Sequence, residues 1–263
     1  MSSRLEPRGS LERPIAARVG SELTDDAFLG GRVRLWQPVH GFRSGLDAVM
    51  LAAAVAAKAR NHVCDLGVGT GAAALCLAAR VAGLTITGVE IDPNAAELAR
   101  ANAARNGHEN FEVMLLDVLR RPRQVPRQSF DHVFTNPPFH DIARGTRAPH
   151  AAKARATSAD AKALIDWLRF ACAIAKPAGW VTAILPPDQL GSALAALTPN
   201  GLGAEIFPLW PKAGEGAKRL IVRARMNARA PLRLLSGLIL HGTDGRPTPE
   251  AEAVLRHGKS LFT

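Results

Sequence analysis

From residue 61 onward the chain alternates two hydrophobic patterns. Short runs rich in Val, Ile, Phe and Leu predict strands over 62–66, 84–90, 111–116, 130–135 and 180–185. Between them, apolar residues recurring at helical spacing predict helices over 72–81, 93–106, 160–175 and 188–197. Two more apolar runs, 204–209 and 220–225, predict a final antiparallel strand pair. Strand–helix alternation of this kind predicts a doubly wound α/β fold: seven strands in a mostly parallel sheet, with the final strand antiparallel.

Local signals sharpen the second helix. Asp92 and Pro93 suit its N-cap and first turn, and Gly107 suits its stop. Ahead of the alternation, 24–38 carries strand-like pieces anchored by Val33, Leu35 and Trp36. Gly41-Phe42-Arg43-Ser44-Gly45-Leu46-Asp47 then leads into a helix through about residue 59. Residues 1–22 mix Arg, Glu, Ser, Pro and Gly and predict a flexible basic tail. Residues 23–263 are expected to form a single domain with a strand/helix extension at each end. Its last part is an apolar run over 232–240, a turn at 242–245 and a short helix over 249–256, with no chemistry evident in its residue types.

Composition narrows the class. A chain of 263 residues with 47% hydrophobic content and mean hydropathy +0.02 suits a globular domain. Net charge is +10, from 33 Lys+Arg against 23 Asp+Glu, which favours a polyanionic partner, nucleic acid first. A general enrichment in Arg and Ala would also tilt the balance, so charge only supports other observations. Cys64, Cys76 and Cys172 are odd in number and form no C-x-x-C pair, which suits buried thiols in a reducing cytoplasm. The histidines are scattered without ligand spacing, so no metal is expected. No apolar run is long enough to cross a bilayer, and no secretory signal is visible, so no membrane partner is expected.

Two loops carry the candidate chemistry. Asp65-Leu66-Gly67-Val68-Gly69-Thr70-Gly71 joins the first strand of the alternation to its helix, and its glycines let backbone turn tightly and approach a ligand at the carboxyl edge of the sheet. Glu90 closes the next strand and can accept ribose hydroxyls; Asp117 closes the third and can accept from an adenine amino group. A lone G-x-G is a weak signal, but the order of acids after D-x-G-x-G-x-G points to a nucleoside-containing cofactor.

The second loop is Asn136-Pro137-Pro138-Phe139, at the end of the strand over 130–135. Two prolines stop the strand, fix φ and push Asn136 toward an extended conformation. A planar amino group on an aromatic ring can donate one hydrogen to the Asn136 side-chain oxygen and one to the Pro137 carbonyl while stacking on Phe139. Such acceptors return the delocalised lone pair to nitrogen, most strongly in the transition state. The plainer alternative is a strand end followed by a Pro-Pro linker with Asn136 as a turn residue.

D-L-G-V-G-T-G, G-V-E-I-D-P and N-P-P-F stand here in the order found in class I S-adenosylmethionine-dependent methyltransferases, and the chain resembles that family over 61–226. The block Gly41-Phe42-Arg43-Ser44-Gly45-Leu46-Asp47-Ala48-Val49-Met50-Leu51 extends the resemblance to the bacterial tRNA(Val) adenine-37 N6-methyltransferase-like group. The resemblance implies a Rossmann-like methyltransferase fold and S-adenosylmethionine as cofactor. It further implies that Asp65, Gly67 and Gly71 line the cofactor's methionine part, Glu90 its ribose, and Asp117 with Val118 its adenine, with Gly69 a further cofactor-binding residue of the loop. Arg43 and Asp47 are candidates beside the methionine end, or else members of a salt-bridged helix start. Val68 stands where a small or polar residue is commoner.

After Phe139 the chain is basic: His140, Arg144, Arg147, His150, Lys153 and Arg155 face only Asp141 before Asp160. Leaving the N-P-P turn directly, Arg144, Arg147, Lys153 and Arg155 are expected to contact RNA phosphates. The clusters Arg120, Arg121, Arg123, Arg127 and Lys212, Lys218, Arg219 suit solvated loops. The expected activity is methylation of adenine N6 in tRNA. The alternatives are guanine N2 in ribosomal RNA, a protein glutamine amide, and a non-catalytic RNA-binding module; intact glycines and N-P-P argue against the last.

Overall fold

Most helices and strands form where the patterns place them, and the sheet they build has a break in strand order that locates the candidate site. The computed structural model describes residues 12–19, 22–138, 150–197 and 203–262. The strands are β1 (Leu23–Phe28), β2 (Val33–Pro38), β3 (His62–Leu66), β4 (Thr85–Glu90), β5 (Phe111–Leu115), β6 (Phe130–Thr135), β7 (Ala175–Leu185), β8 (Ala204–Trp210), β9 (Arg219–Arg225), β10 (Arg233–Leu234) and β11 (Leu238–Ile239). The helices are α1 (Glu12–Val19), α2 (Leu46–Ala54), α3 (Ala72–Arg80), α4 (Pro93–Arg105), α5 (His150–Ile174), α6 (Leu190–Leu197) and α7 (Pro249–Leu255).

The main sheet runs β10-β8-β9-β7-β6-β3-β4-β5, with β11 also on β8. The seven expected strands are all in it. Only β9 runs antiparallel to its neighbours β7 and β8. Two short strands at the β8 edge raise the count from the expected seven to nine. β1 and β2 form a separate antiparallel hairpin.

The central strands are buried on both faces, as parallel strands covered by helices must be. Val63 and Phe134 pack on the face shared with α2 and α3, among Met50, Leu51 and Leu75. Cys64, Leu66, Phe130 and Val133 face the other way, among Leu164, Leu168 and Ile174 of α5. Burial raises the thiols, Cys76 and Cys172 to about 12 and Cys64 well above its ordinary value, so all three are held as neutral, unreactive groups.

The hairpin is docked by side-chain amides. Asn102 Oδ1 accepts from Trp36 N–H at 2.8 Å and its Nδ2 donates to Trp36 O at 3.0 Å. Four residues on, Asn106 does the same for Arg34, at 3.0 and 2.8 Å. One α4 stripe thereby satisfies the β2 edge as a neighbouring strand would.

Four local expectations differ. Residues 12–19 are a helix, not a free tail: Ile15 and Val19 are buried against Trp36 and Leu98. The helix expected through about 59 stops at Ala54. α5 begins at His150, ten residues early. β7 begins at Ala175, with Ala178 at φ +63 and a register shift against β6 between Phe130 and His132.

Candidate active site

Strand order reverses between β3 and β6, and the loops leaving these two strands are the glycine loop and the N-P-P turn. A crevice opens at such a switch point because the following helices depart to opposite faces.

The glycine loop wraps round the end of β4. Gly67 and Val68 donate their N–H groups to the Val89 carbonyl at 2.8 and 3.0 Å. Gly69 donates to Glu90 Oε2 at 2.9 Å. Gly67, Gly69 and Gly71 have φ of +76°, +55° and +90°, a region glycine enters without strain. A Cβ on Gly67 would lie 3.2 Å from the Trp167 ring, whereas one on Gly69 would meet only Phe42, at 4.0 Å. Gly67 is therefore packed, and Gly69 borders open space beside a phenyl ring that is 69% exposed. Val68 fits because Gly88 faces it from β4; a Cβ there would come within 2.9 Å of its side chain.

Three carboxylates stand at or just beyond the ends of β3, β4 and β5. Asp65 is 2% exposed; burial, then the Glu90 charge, carry its carboxyl from 3.8 up to about 8, against the opposing effect of a hydrogen bond from the Ala74 backbone. Glu90 Oε1 accepts from the Ile91 and Asp92 N–H groups at 2.8 and 2.9 Å. With Gly69 on Oε2, three of its roughly four lone-pair positions are already occupied by backbone donors. The free capacity is on Oε2. Asp117 Oδ1 caps the turn after β5 by accepting from Leu119 N–H at 2.9 Å, while Oδ2 lies 3.4 Å from Arg120 Nε. Asp117, Ile91, Leu115, Leu116, Arg120, Pro122 and Gln124 line a cavity of about 450 Å³. Ile91 and Leu115 are 64% and 51% exposed, an apolar wall beside a hydrogen-bond acceptor. Val118 is buried behind Asp117.

The N-P-P turn is tied to the same loop. Thr135, fully buried at the end of β6, donates its hydroxyl to Leu66 O at 2.7 Å and accepts from Trp167 Nε1 at 3.0 Å. Asn136 follows. Its side-chain oxygen Oδ1 is buried and has no hydrogen-bond partner among the described residues. A buried acceptor left unpaired costs on the order of 1–3 kcal/mol, so it marks a place where an outside donor belongs. Pro137 is buried and Pro138 exposed.

The block before α2 is engaged elsewhere. Arg43 donates to Thr24 Oγ1, Pro38 O and Asp26 Oδ2 at 2.8, 2.9 and 2.6 Å. Asp47 pairs with Arg219 Nε at 2.8 Å. These contacts are those of a salt-bridged helix start. The block touches the glycine loop through Gln37 instead. Gln37 accepts from Ser44 N–H at 2.7 Å and, more weakly, from Thr70 Oγ1 at 3.5 Å. Asn102 donates to Thr70 O at 2.9 Å.

Phe139, Arg144 and Arg147 lie outside the described residues. Lys153 and Arg155 are in the first turns of α5. Trp167, Thr135, Gln37 and Asn102 join the sequence-derived set. Asn102 was detectable as an amide interrupting the apolar stripe of α4, but no local signal named the partners of the others. No group of three His, Cys, Asp or Glu suited to a metal occurs among the described residues.

Residues 45–160 match the family model "Methyltransferase small domain". A Porphyromonas gingivalis protein named tRNA1(Val) (adenine(37)-N6)-methyltransferase is 31% identical over 218 residues, covering 79% of this chain and 85% of its own length. A Glaesserella parasuis protein of the same name is 30% identical over 178 residues, covering 67% and 73%. The crystal structure of an Agrobacterium tumefaciens protein described as a predicted O-methyltransferase superposes with a TM-score of 0.67 at 30% identity, over 82% of this chain and 98% of that one.

Proposed function

The chain belongs to the S-adenosylmethionine-dependent methyltransferases, in the family of the tRNA1(Val) (adenine(37)-N6)-methyltransferases, and from that premise we propose that it methylates the exocyclic N6 amine of an adenine in tRNA. S-adenosylmethionine is the cofactor. The residues present suit it: open space at Gly69, free acceptor capacity on Glu90 Oε2, and a 450 Å³ cavity where Asp117 stands beside exposed Ile91 and Leu115. Bound there, the cofactor supplies a methyl group made electrophilic by its sulfonium centre.

The chain's own part is alignment and polarisation of the acceptor. Asn136 Oδ1 takes one hydrogen of the target amine and the Pro137 carbonyl the other, with Phe139 as the stacking surface. The amine lone pair then returns from the ring to nitrogen, and the proton released after transfer goes to water. No general base is needed. Such preorganised contacts act on the transition state more than on the ground state. The reaction belongs in the cytoplasm, where Cys64, Cys76 and Cys172 stay free thiols. No described helix is long and apolar enough to cross a membrane.

The observation that carries this reading is the buried Asn136 Oδ1, unpartnered among the described residues. Its test is single-turnover transfer of labelled methyl to total RNA, with product nucleosides identified by mass. N6-methyladenosine from tRNA is expected, and Asn136→Ala is expected to slow transfer by roughly a hundredfold or more with cofactor affinity little changed. Methylguanosine would move the target to ribosomal RNA. A ribose O-methyl product would favour the oxygen acceptor named for the Agrobacterium relative, although a hydroxyl offers one hydrogen to a turn with two acceptors. Undiminished transfer by Asn136→Ala would sink the amine mechanism.

A further inference from the structure

Trp167 lies on α5, between the buried Leu164 and Leu168, and touches both halves of the site. Its ring covers Gly67: a Cβ built there would lie 3.2 and 3.4 Å from Cζ2 and Cη2. Its Nε1–H donates to Thr135 Oγ1 at 3.0 Å, and that hydroxyl donates to Leu66 O at 2.7 Å. Leu66 and Thr135 are the last paired residues of β3 and β6. Each is followed by a functional loop, Leu66 by Gly67 and Thr135 by Asn136.

A threonine hydroxyl has one hydrogen and two lone pairs. With the indole N–H directed at its oxygen, the hydrogen is left for Leu66 O, and the cross-strand bond is fixed in direction. Without the indole donor the hydroxyl can rotate, and the ends of β3 and β6 lose a brace where the parallel ladder stops. Pro137 and Pro138 already stiffen the turn itself, so displacement of the whole turn relative to the glycine loop is the freedom still to be controlled. Misplacement of reacting groups by about 1 Å can cost about a hundredfold in rate. α5 is also the helix into which the chain runs after the N-P-P turn, so this contact joins three segments round one crevice.

We propose that Trp167 is a positioning residue: its ring holds the cofactor loop at Gly67, and its Nε1–H holds the target-amine turn through Thr135. The inference rests on the methyltransferase reading above, but not on the identity of the base.

Two variants separate the roles. Thr135→Val keeps the whole indole over Gly67 and deletes the acceptor that its Nε1–H uses. It is expected to bind S-adenosylmethionine within about threefold of wild type by calorimetry, to stay folded at the assay temperature, and to transfer methyl at least tenfold more slowly in a single turnover. Trp167→Leu removes the ring and its donor and is expected to lose at least tenfold in cofactor affinity. Trp167→Phe, which deletes the donor and also lacks the Cζ2 and Cη2 atoms that meet Gly67, should slow transfer at least as much as Thr135→Val. A space-filling role would instead lower rate only in proportion to the folded fraction. Wild-type transfer by Thr135→Val or Trp167→Phe overturns the proposal, as does wild-type cofactor affinity in Trp167→Leu, a result that needs no RNA. The acceptor is total RNA, so labelling of a base other than tRNA adenine would remove that substrate reading and leave the Trp167 comparison intact.

Discussion

At Asp65 a carboxyl group is held neutral at pH 7 beside the loop proposed to receive a cationic ligand. Its value of about 8 in the folded protein stands against 3.8 ordinarily. From about pH 4 to about pH 8 the folded state therefore binds more protons at this site than the unfolded chain, so this group lowers stability as pH rises through that window. Below the window both states are protonated and the penalty is absent. A ligand carrying ammonium and sulfonium charges favours the ionised carboxylate and pulls the value back down. Cofactor binding near pH 7 is accordingly expected to release up to about one proton, read from the dependence of the calorimetric heat on the buffer's ionisation enthalpy. Asp65→Asn should abolish the release and flatten the stability–pH curve between pH 5 and 8. Buffer-independent heat in the wild type would show that Asp65 stays protonated with cofactor in place. That Asp65, Glu90 and Asp117 stand at or just beyond the carboxyl ends of β3, β4 and β5 was legible in the sequence, because hydrophobic runs mark where strands stop. Trp167 was not, because its role depends on Thr135, 32 residues away, and Asn102 stood out only as an amide in an apolar stripe, its partner Trp36 lying 66 residues away.

Among the elements, the glycine loop is a contact between neighbouring strands as much as a flexible turn. Val68 is buried directly opposite Gly88 on β4. Its bulk, unexpected for the motif, is matched by a missing side chain next door. Gly88→Ala would force a Cβ to within 2.9–3.0 Å of three Val68 atoms and is expected to destabilise the fold by about 1–3 kcal/mol in denaturant unfolding. Adding Val68→Ala should recover a substantial part; equal instability of the single and double variants would place the strain elsewhere. Element boundaries were legible where hydrophobic period and punctuation agreed, as at Asp92-Pro93 for α4, where Asp92 accepts from Asn94 N–H at 2.8 Å. They slipped where alanine supplies helix propensity without an apolar stripe. The start of α5 reads His150-Ala151-Ala152-Lys153-Ala154-Arg155, favourable to a helix but carrying no periodic core signal. At β7, Lys176-Pro177-Ala178-Gly179 resembles a turn, and the strand passes through it as an irregularity. In α1 the clue was the Ile15/Val19 pair four residues apart, outweighed by charged and Pro-rich surroundings.

Across the whole molecule the question is where an excess of ten positive charges can act. Many acids of the described surface already carry basic partners: Asp25 holds Arg34 and Arg105, Asp166 holds Arg121 and Lys162, and Glu205 holds Arg223 and Arg233. Such pairs contribute little stability, but they neutralise the field near them. The run from His140 to Arg155 is different in composition, with six basic or imidazole side chains and Asp141 as its sole acid. It joins Pro138 to α5, whose far half is anchored in the core by Leu164, Leu168 and Ile174. The run begins four residues after Asn136 in the sequence, and its phosphate contacts are expected along the backbone flanking a splayed-out base. Replacing Arg144, Arg147, Lys153 and Arg155 together with Ala is expected to weaken tRNA binding. It should also reduce the slope of log affinity against log salt by up to about 3, as fewer counterions are released. Transfer at saturating RNA should change far less, because the amine contacts and the cofactor loop are untouched. The comparison is a salt titration of tRNA binding for both proteins beside single-turnover rates: a weakened affinity with an unaltered salt slope would mean that these side chains act through folding of the segment rather than by contact with phosphate.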